Sequence, residues 1–296
     1  MTSQELDLVI SPCPNDTFVF HAWAHGLVEG APPVRITWAD VDEANGMARR
    51  REQDVLKVSY GALPWLLEDY ALLPCGGALG RGCGPLVLTA GREDLTGARV
   101  AVPGEQTTAY LLFRMWAAGI ELAQVDVVPF EKIMPAVAAG EYDAGLVIHE
   151  ARFTYRDHGL HAVADLGSWW EDTTGLAIPL GAIVIRRDLD PAPVIDTIRQ
   201  SVRMAWDNPE ASRSWVLEHS QELAPEVVDA HIGLYVNEHT EDLGEEGFEA
   251  VRGLLTRAEA AGLVPPVDPQ LLAQASRSSA TARSTAATLE PLDRSG

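Results

Sequence analysis

The sequence predicts an α/β protein with two lobes and a central cleft, and three observations lead to this fold class. Strand-like and helix-like segments alternate between residues 98 and 148, the order expected of parallel strands joined by right-handed crossover helices. From Pro191 onward the pattern turns helical, with four candidate helices. The length of 296 residues suits two modest lobes.

The first lobe is predicted to contain strands at residues 6–11, 34–39 and 55–60 and helices at residues 18–26, 42–51 and 63–68. In the turn after the first strand, Pro12 and Pro14 fix the backbone, and Asn15 or Asp16 can cap the following helix. The turn is therefore either ordinary turn chemistry or a small polar cradle at the carboxyl end of the strand.

The third strand carries an unusual lysine. Lys57 and Ser59 alternate within V-L-K-V-S-Y and so share one face of the strand. Lys57 either lies at an edge and reaches solvent, or it points into the cleft toward an anion. The glycine-rich residues 73–84 match neither phosphate-loop pattern, and they favour close approach to a ligand or flexing between lobes.

The second lobe is predicted to contain strands at residues 98–102, 124–130 and 144–148 and helices at residues 109–118 and 131–139. Thr107 or Thr108 can cap the helix that starts at residue 109. The first amides of a helix carry partial positive charge and lack internal partners, so a carboxylate fits there. The alternative is an ordinary capped helix.

A histidine follows the last strand of this lobe. The apolar run A-G-L-V-I ends on His149 and Glu150, and the carboxyl end of such a strand opens into the ligand crevice of an open α/β sheet. Histidine titrates near neutrality, so His149 is a candidate for proton abstraction. The alternative is a core or surface histidine with a hydrogen-bond partner.

Composition limits the classes of partner. The formal net charge of −21 argues against nucleic acids and anionic membranes, but a local site can still bind a small anion. The apolar runs are too short to span a bilayer, and the start lacks the pattern of a secretory signal, so a cytoplasmic protein is expected.

Cys13, Cys75 and Cys83 lack paired metal spacing and are interpreted as reduced thiols, with Cys13 near the site.

One architecture explains this order of elements. Residues 1–92 begin a first lobe, residues 93–178 form a second lobe that carries His149, residues 179–272 return to the first lobe as helices, and residues 273–296 form a disordered tail. Two crossings create a hinged cleft, the arrangement of periplasmic-binding-protein-like folds of type II. The turn at residues 12–17, Lys57 with Ser59, the Thr107–Thr108 turn and His149 are expected to face this cleft.

Several segments also resemble one enzyme family. They read S-P-C-P-N-D-T-F (11–18), K-V-S-Y (57–60), G-G-A-L-G-R-G-C-G-P-L (76–86), V-A-V-P-G (100–104), T-T-A-Y (107–110), A-G-L-V-I-H-E-A-R-F-T-Y (144–155), L-G-S-W-W (166–170), T-G-L-A-I-P-L-G-A-I (174–183) and Y-V-N (235–237). Together they are similar to the 1,4-dihydroxy-6-naphthoate synthases of the futalosine route to menaquinone. The resemblance extends to about residue 264.

The resemblance implies a lyase that acts on cyclic dehypoxanthine futalosine and releases dihydroxyacetone. His149 matches the family's proton acceptor, and the substrate-binding positions match Lys57, Val58, Ser59, Thr107 and Thr108. Aromatisation of the product supplies driving force, so no metal or redox cofactor is expected. We expect His149 to be neutral and to be oriented by Glu150 or by a backbone carbonyl.

Three other readings compete with the lyase. A solute-binding protein shares the lobes and cleft but catalyses nothing, and the expected lack of a signal sequence weighs against it. The sibling enzyme that dehydrates chorismate shares the fold, but the segments at residues 11–18 and 148–155 favour the later-step lyase. A metal-dependent hydrolase lacks clusters of ligands in the sequence.

Overall fold

The computed structural model describes residues 5–220 and 224–272, and within them two β-sheets. The first sheet contains β1 (Leu6–Ile10), β2 (Val34–Trp38), β3 (Val55–Ser59), β4 (Tyr70–Leu72), β5 (Ala78–Gly80) and β11 (Ile178–Arg186). The second contains β6 (Leu86–Thr89), β7 (Arg99–Val102), β8 (Gln124–Val127), β9 (Ala144–Val147) and β10 (His161–Asp165). The predicted α/β class is confirmed, and the structure shows that its strands form two sheets.

The first sheet has the order β2-β1-β3-β11-β4, and β5 pairs with β11. β1 runs parallel to β2 and β3, whereas β11 is antiparallel to β3, β4 and β5. The second sheet has the order β10-β6-β9-β7-β8. In it β7 is parallel to β8 and β9, while β6 is antiparallel to β9 and β10. Both sheets are therefore mixed, with a parallel part that brings strand ends to one edge.

The first crossing between the sheets comes earlier than predicted. The predicted boundary at residue 92 places Leu86–Thr89 in the first lobe, but this strand pairs with β9 and β10 in the second sheet. The crossing therefore precedes Leu86. A Cβ at Gly84 would lie 2.2 Å from the Cα of Gly167, so glycine is needed where these two backbone segments meet. The return crossing leads into β11 at Ile178, next to the predicted boundary at residue 178.

The helices are α1 (Pro14–Ala24), α2 (Val41–Arg50), α3 (Thr108–Trp116), α4 (Phe130–Ala138), α5 (Ala151–Thr154), α6 (Leu166–Thr174), α7 (Ala192–Asp207), α8 (Arg213–His219), α9 (Pro225–Tyr235), α10 (Glu238–Glu241) and α11 (Gly244–Ala260). Short 3-10 helices lie at Tyr60–Trp65, Tyr155–His158 and Pro209–Ser212. α1 packs against α7, α8 and α9, and α11 packs on β11, so the C-terminal helices cover the first sheet.

Helix α1 begins earlier than predicted. Its first residue is Pro14, not Phe18, and its N-cap is Cys13, which has no side-chain capping bond. The predicted caps Asn15 and Asp16 are therefore wrong. Proline suits the first position of a helix, where its missing N–H has no partner in any case. Asn15 and Asp16 thus lie in the first turn of α1, with their side chains free for other contacts.

One apolar core extends across both lobes. It joins Val58 of the first sheet with Val100 of the second, and it includes Trp170 of α6 and Leu254 of α11. A second cluster lies between the first sheet and its helices, around Phe20 and Trp23 of α1. Among the described residues no helix combines the length and apolar character needed to cross a membrane. The predicted tail at residues 273–296 lies outside the described residues.

Candidate active site

A pocket lies where the two sheets meet. Its walls come from the ends of β1, β3 and β9, from the crossing around Gly84, from β11 and from the first turns of α1 and α3. Its empty space, including the open solvent at its mouth, is about 740 Å³. The edge reached by the parallel strand ends is where α/β sheets bind ligands.

Most of the predicted site residues line this pocket. They are Lys57, Ser59, Thr107, Thr108 and His149, and they come from both lobes. Val58 is different: its side chain is fully buried in the apolar core, and it is not among the described residues that line the pocket. The alternation of a strand explains this, since Val58 points to the face opposite Lys57 and Ser59.

His149 follows β9 in a left-handed backbone conformation, with φ of +57°. Few residues other than glycine adopt this conformation, and such strain is often found at functional sites. The ring packs edge-on against Phe130 with centroids 5.2 Å apart. Its Nε2 is buried and has no hydrogen-bond partner among the described residues. The ring is thus held in place while one nitrogen stays available.

The other ring nitrogen of His149 contacts a cysteine. Nδ1 lies 3.4 Å from Sγ of Cys13, the N-cap of α1. Burial, followed by the charge of Glu150, raises the pKa of Cys13 well above its usual value, so this group is a neutral thiol. A ligand nitrogen of His149, the Cys13 sulfur and a Glu150 carboxylate oxygen all lie within 4.8 Å of one another. The sequence predicts that Glu150 or a backbone carbonyl orients His149. In the structure Cys13 contacts Nδ1 of His149 instead, and the Glu150 carboxylate lies nearby.

A second carboxylate also acts on His149. Burial raises the pKa of Asp40, while the nearby His149 acts in the opposite direction. Asp40 Oδ1 and Glu150 Oε2 are both buried without a hydrogen-bond partner among the described residues. Two carboxylates, those of Asp40 and Glu150, therefore lie near the His149 ring.

Lys57 points into the pocket wall, but its charge is already balanced. Its ammonium forms an ion pair with Asp16, and both residues are at most 8% exposed. Asp16 also accepts hydrogen bonds from Ser11 Oγ at 2.7 Å and from Asn15 Nδ2 at 2.9 Å. Of the two readings of Lys57, the solvent-reaching edge lysine is wrong, because β3 lies between β1 and β11 inside the sheet.

The Thr107–Thr108 turn caps α3 and joins the lobes. Thr107 Oγ1 accepts the N–H of Tyr110 at 3.1 Å, which confirms the predicted cap. The N–H of Thr108 donates to Ser59 Oγ at 2.6 Å, and Thr108 Oγ1 accepts the N–H of Gly61 at 2.9 Å. Part of the helix N-terminus is therefore occupied by a serine of the other lobe.

His231 was not singled out from the sequence, although it lines the pocket and is only 1% exposed. Its Nε2 lies 3.0 Å from Asn15 Oδ1, and the Asn15 amide group donates to Asp16, so Nε2 carries the hydrogen. Burial, followed by the charge of His149, lowers the pKa of His231 well below its usual value. His231 is thus neutral, with Nδ1 as an acceptor that has no partner among the described residues.

The two histidine rings are nearly parallel. The rings of His149 and His231 lie 14° apart in plane, with centroids separated by 6.5 Å. His231 also packs against Tyr235 one turn further along α9, and Tyr235 lines the pocket as well. The spacing of four residues between His231 and Tyr235 is the sequence signal that could have identified this helix face.

The fold and the pocket define a class of protein: a binding-protein-like fold whose interlobe pocket carries a candidate base. Among solved structures, an alkanesulfonate-binding protein of Xanthomonas axonopodis bound to MOPS aligns with a TM-score of 0.68 at 16% identity, covering 90% of this chain and 96% of that one. This likeness confirms the periplasmic-binding-protein-like fold. A protein of Archaeoglobus fulgidus aligns with a TM-score of 0.83 at 34% identity, covering 88% of this chain and 98% of that one.

The sequence profile of the menaquinone biosynthesis family matches residues 6–260, so the chain belongs to that family. A 1,4-dihydroxy-6-naphthoate synthase of Streptomyces coelicolor is 62% identical over 281 residues, covering 92% of this chain and 99% of the relative. The enzyme of the same name from Thermus thermophilus is 46% identical over 267 residues, covering 89% and 97%. The resemblance found in the sequence is thereby confirmed.

Proposed function

We propose that the chain is a carbon–carbon lyase that converts cyclic dehypoxanthine futalosine to 1,4-dihydroxy-6-naphthoate and releases dihydroxyacetone. His149 is the proton acceptor in this proposal. Lys57, Ser59, Thr107 and Thr108 contact the substrate. Val58, whose side chain points into the core, can contribute only through its backbone.

One observation carries the proposal: the unpartnered Nε2 of His149, on a ring that lines the pocket and is fixed by Phe130 and Cys13. For Nε2 to accept a proton, Nδ1 must carry the ring hydrogen and direct it at the Cys13 sulfur. The proton comes from a hydroxyl or a carbon of the substrate's carbocycle. Aromatisation of the product then drives cleavage forward.

The substrate carboxylate needs a binding partner on the opposite wall. Lys57 keeps its ion pair with Asp16, so it offers a carboxylate further N–H donors but little net charge. The start of α3 adds partial positive charge next to Thr107 and Thr108. A single carboxylate held by these donors leaves the carbocycle free to extend toward His149.

Incubation of the purified protein with cyclic dehypoxanthine futalosine tests the proposal directly. Formation of the dihydroxynaphthoate and of dihydroxyacetone in equal amounts, followed by chromatography and mass spectrometry, is the expected result. Chorismate is incubated in parallel, and its dehydration would instead assign the sibling activity. Binding of the futalosine without any product would identify a solute-binding protein and refute the lyase.

A further inference from the structure

Three potential metal ligands meet beside the pocket. Cys13, His149 and Glu150 each offer one ligand atom, and these atoms lie within 4.8 Å of one another. They come from the N-cap of α1, the end of β9 and the N-cap of α5. We propose that they form a binding site for a soft divalent cation, with Zn²⁺ as the best fit, and that the ion inhibits the enzyme.

The Cys13 and His149 ligand atoms already have the spacing that zinc requires. Zinc–sulfur and zinc–nitrogen bonds of about 2.3 and 2.0–2.1 Å at a tetrahedral angle place the two ligand atoms about 3.5 Å apart. Cys13 Sγ and His149 Nδ1 are already 3.4 Å apart. Sulfur, nitrogen and carboxylate oxygen are all zinc ligands, and three protein ligands leave a fourth position for water or a substrate oxygen.

Burial and charge also favour a cation. Cys13 is 5% exposed and Glu150 is 9% exposed, and Glu150 Oε2 has no hydrogen-bond partner among the described residues. A buried carboxylate oxygen without a hydrogen-bond donor destabilises the folded protein. A cation bound next to this oxygen would therefore be stabilising. Binding expels the thiol proton of Cys13, after which the thiolate and Glu150 together balance a charge of +2. Asp40, which interacts with His149, adds further negative potential.

Zinc at this position takes a ring nitrogen of His149 and fixes the ring. Inhibition of turnover follows only if His149 is the base, so this consequence rests on the proposed function. The binding site itself does not, because its ligands are defined without any substrate. Added zinc would then suppress activity, and a chelator would restore it.

Cobalt(II) titration of the chelator-treated full-length protein tests the site without substrate. We expect one Co²⁺ per chain, with a sulfur-to-cobalt charge-transfer band in the near ultraviolet and strong visible bands of a tetrahedral ion. The band should disappear in Cys13→Ser. Cys75→Ser is the matched control, because Cys75 is also a buried thiol but contacts the Ile195 carbonyl, at 3.8 Å, outside the pocket. The charge-transfer band of Cys75→Ser should be the same as that of the wild-type protein.

Zinc affinity, measured by competition with a chromophoric chelator, provides the second readout. Cys13→Ser should weaken binding on the order of 100-fold, and Glu150→Gln at least about tenfold. If Cys13→Ser does not fold, the zinc affinity of Glu150→Gln still tests the site. A wild-type protein without the charge-transfer band, or a band that survives in Cys13→Ser or is lost in Cys75→Ser, would overturn the site. A zinc site in a protein that shows no turnover of the futalosine even after chelator treatment would instead contradict only the proposed function.

Discussion

Ser59 Oγ accepts the backbone N–H of Thr108 at 2.6 Å, so the end of β3 in the first sheet is joined to the first turn of α3, the helix that follows β7 of the second sheet. The Thr108 hydroxyl completes the contact by accepting the N–H of Gly61 at 2.9 Å. A Cβ on Gly61 would lie 2.8 Å from the Thr108 nitrogen, so the two backbones approach closely only because residue 61 is glycine. The lobes thus meet through hydrogen bonds at the wall of the pocket.

Replacing Thr108 by valine tests this junction. The Thr108→Val change keeps the shape but leaves the buried N–H of Gly61 without its acceptor, so we expect a loss of about 1–3 kcal/mol in the free energy of unfolding and a higher KM. Thr197→Val is the control, because the one partner of the Thr197 hydroxyl among the described residues is the Pro193 carbonyl of its own helix. Denaturant unfolding and steady-state kinetics measure both. Equal effects in the two variants would contradict a role for the junction.

A second prediction concerns the proton acceptor. Asparagine tolerates the left-handed backbone of residue 149, whereas alanine adds about 1–2 kcal/mol of strain there. We therefore expect His149→Asn to fold normally and to lower kcat by about 10²–10⁴-fold. His161→Asn, at an exposed histidine on β10, should leave kcat unchanged. Product formation and circular dichroism are the measurements, and near-normal turnover in folded His149→Asn would refute the assignment.

The sequence could place His149, Lys57, Ser59 and the Thr107 cap because each depends on local rules. An apolar run that stops at a polar residue marks a strand end, and alternation assigns strand faces. The same alternation argues against a side-chain role for Val58, although the family pattern includes it. Local reasoning was enough for these positions.

Other parts of the site depend on contacts far apart in the chain. Cys13 and His149 are separated by 136 positions, and His231 and Asn15 by 216, so no spacing rule relates them. The first crossing between the sheets precedes the predicted boundary, because local sequence indicates a strand but does not determine which strands it pairs with. Whether Leu86–Thr89 joins the first or the second sheet is decided by its partners β9 and β10.

The buried ion pair of Asp16 and Lys57 gives a third prediction. Asp16→Asn leaves a buried ammonium without its counter-charge, so we expect a loss of about 3–5 kcal/mol in the free energy of unfolding. Asp16→Asn combined with Lys57→Met removes both charges and should recover most of that loss. Glu52→Gln, at the exposed pair with Arg50, should cost less than about 1 kcal/mol.

A double-mutant cycle separates stability from binding at this pair. If Lys57 donates to the substrate carboxylate, the double variant regains stability but keeps a raised KM. Recovery of both quantities would show that Lys57 serves only the fold. A single Asp16→Asn variant as stable as the parent would contradict the buried pair itself.

The fourth prediction uses the fixed tautomer of His231. His231→Gln can still donate to Asn15 Oδ1 but lacks an acceptor at the Nδ1 position, whereas His231→Asn places an oxygen near Nδ1 and loses the donor. If Nδ1 accepts a substrate hydroxyl, Gln should raise KM about tenfold with little change in stability. His231→Asn should leave KM unchanged and lower the free energy of unfolding by about 1–3 kcal/mol. An unchanged KM in both variants would show that His231 serves only packing, and the reverse pattern would contradict the assigned tautomer.

The pH dependence of the free energy of unfolding tests the lowered pKa of His231. Because burial lowers the pKa of His231, the unfolded chain below about pH 6.5 binds a proton that the folded chain does not. Stability is therefore fully present above that pH and falls as the pH decreases. His231→Gln removes this proton and should flatten the slope. Part of the slope should remain, since burial also lowers the pKa of His21. An unchanged slope in His231→Gln would mean that His231 is protonated in the folded protein, which is incompatible with the assigned tautomer.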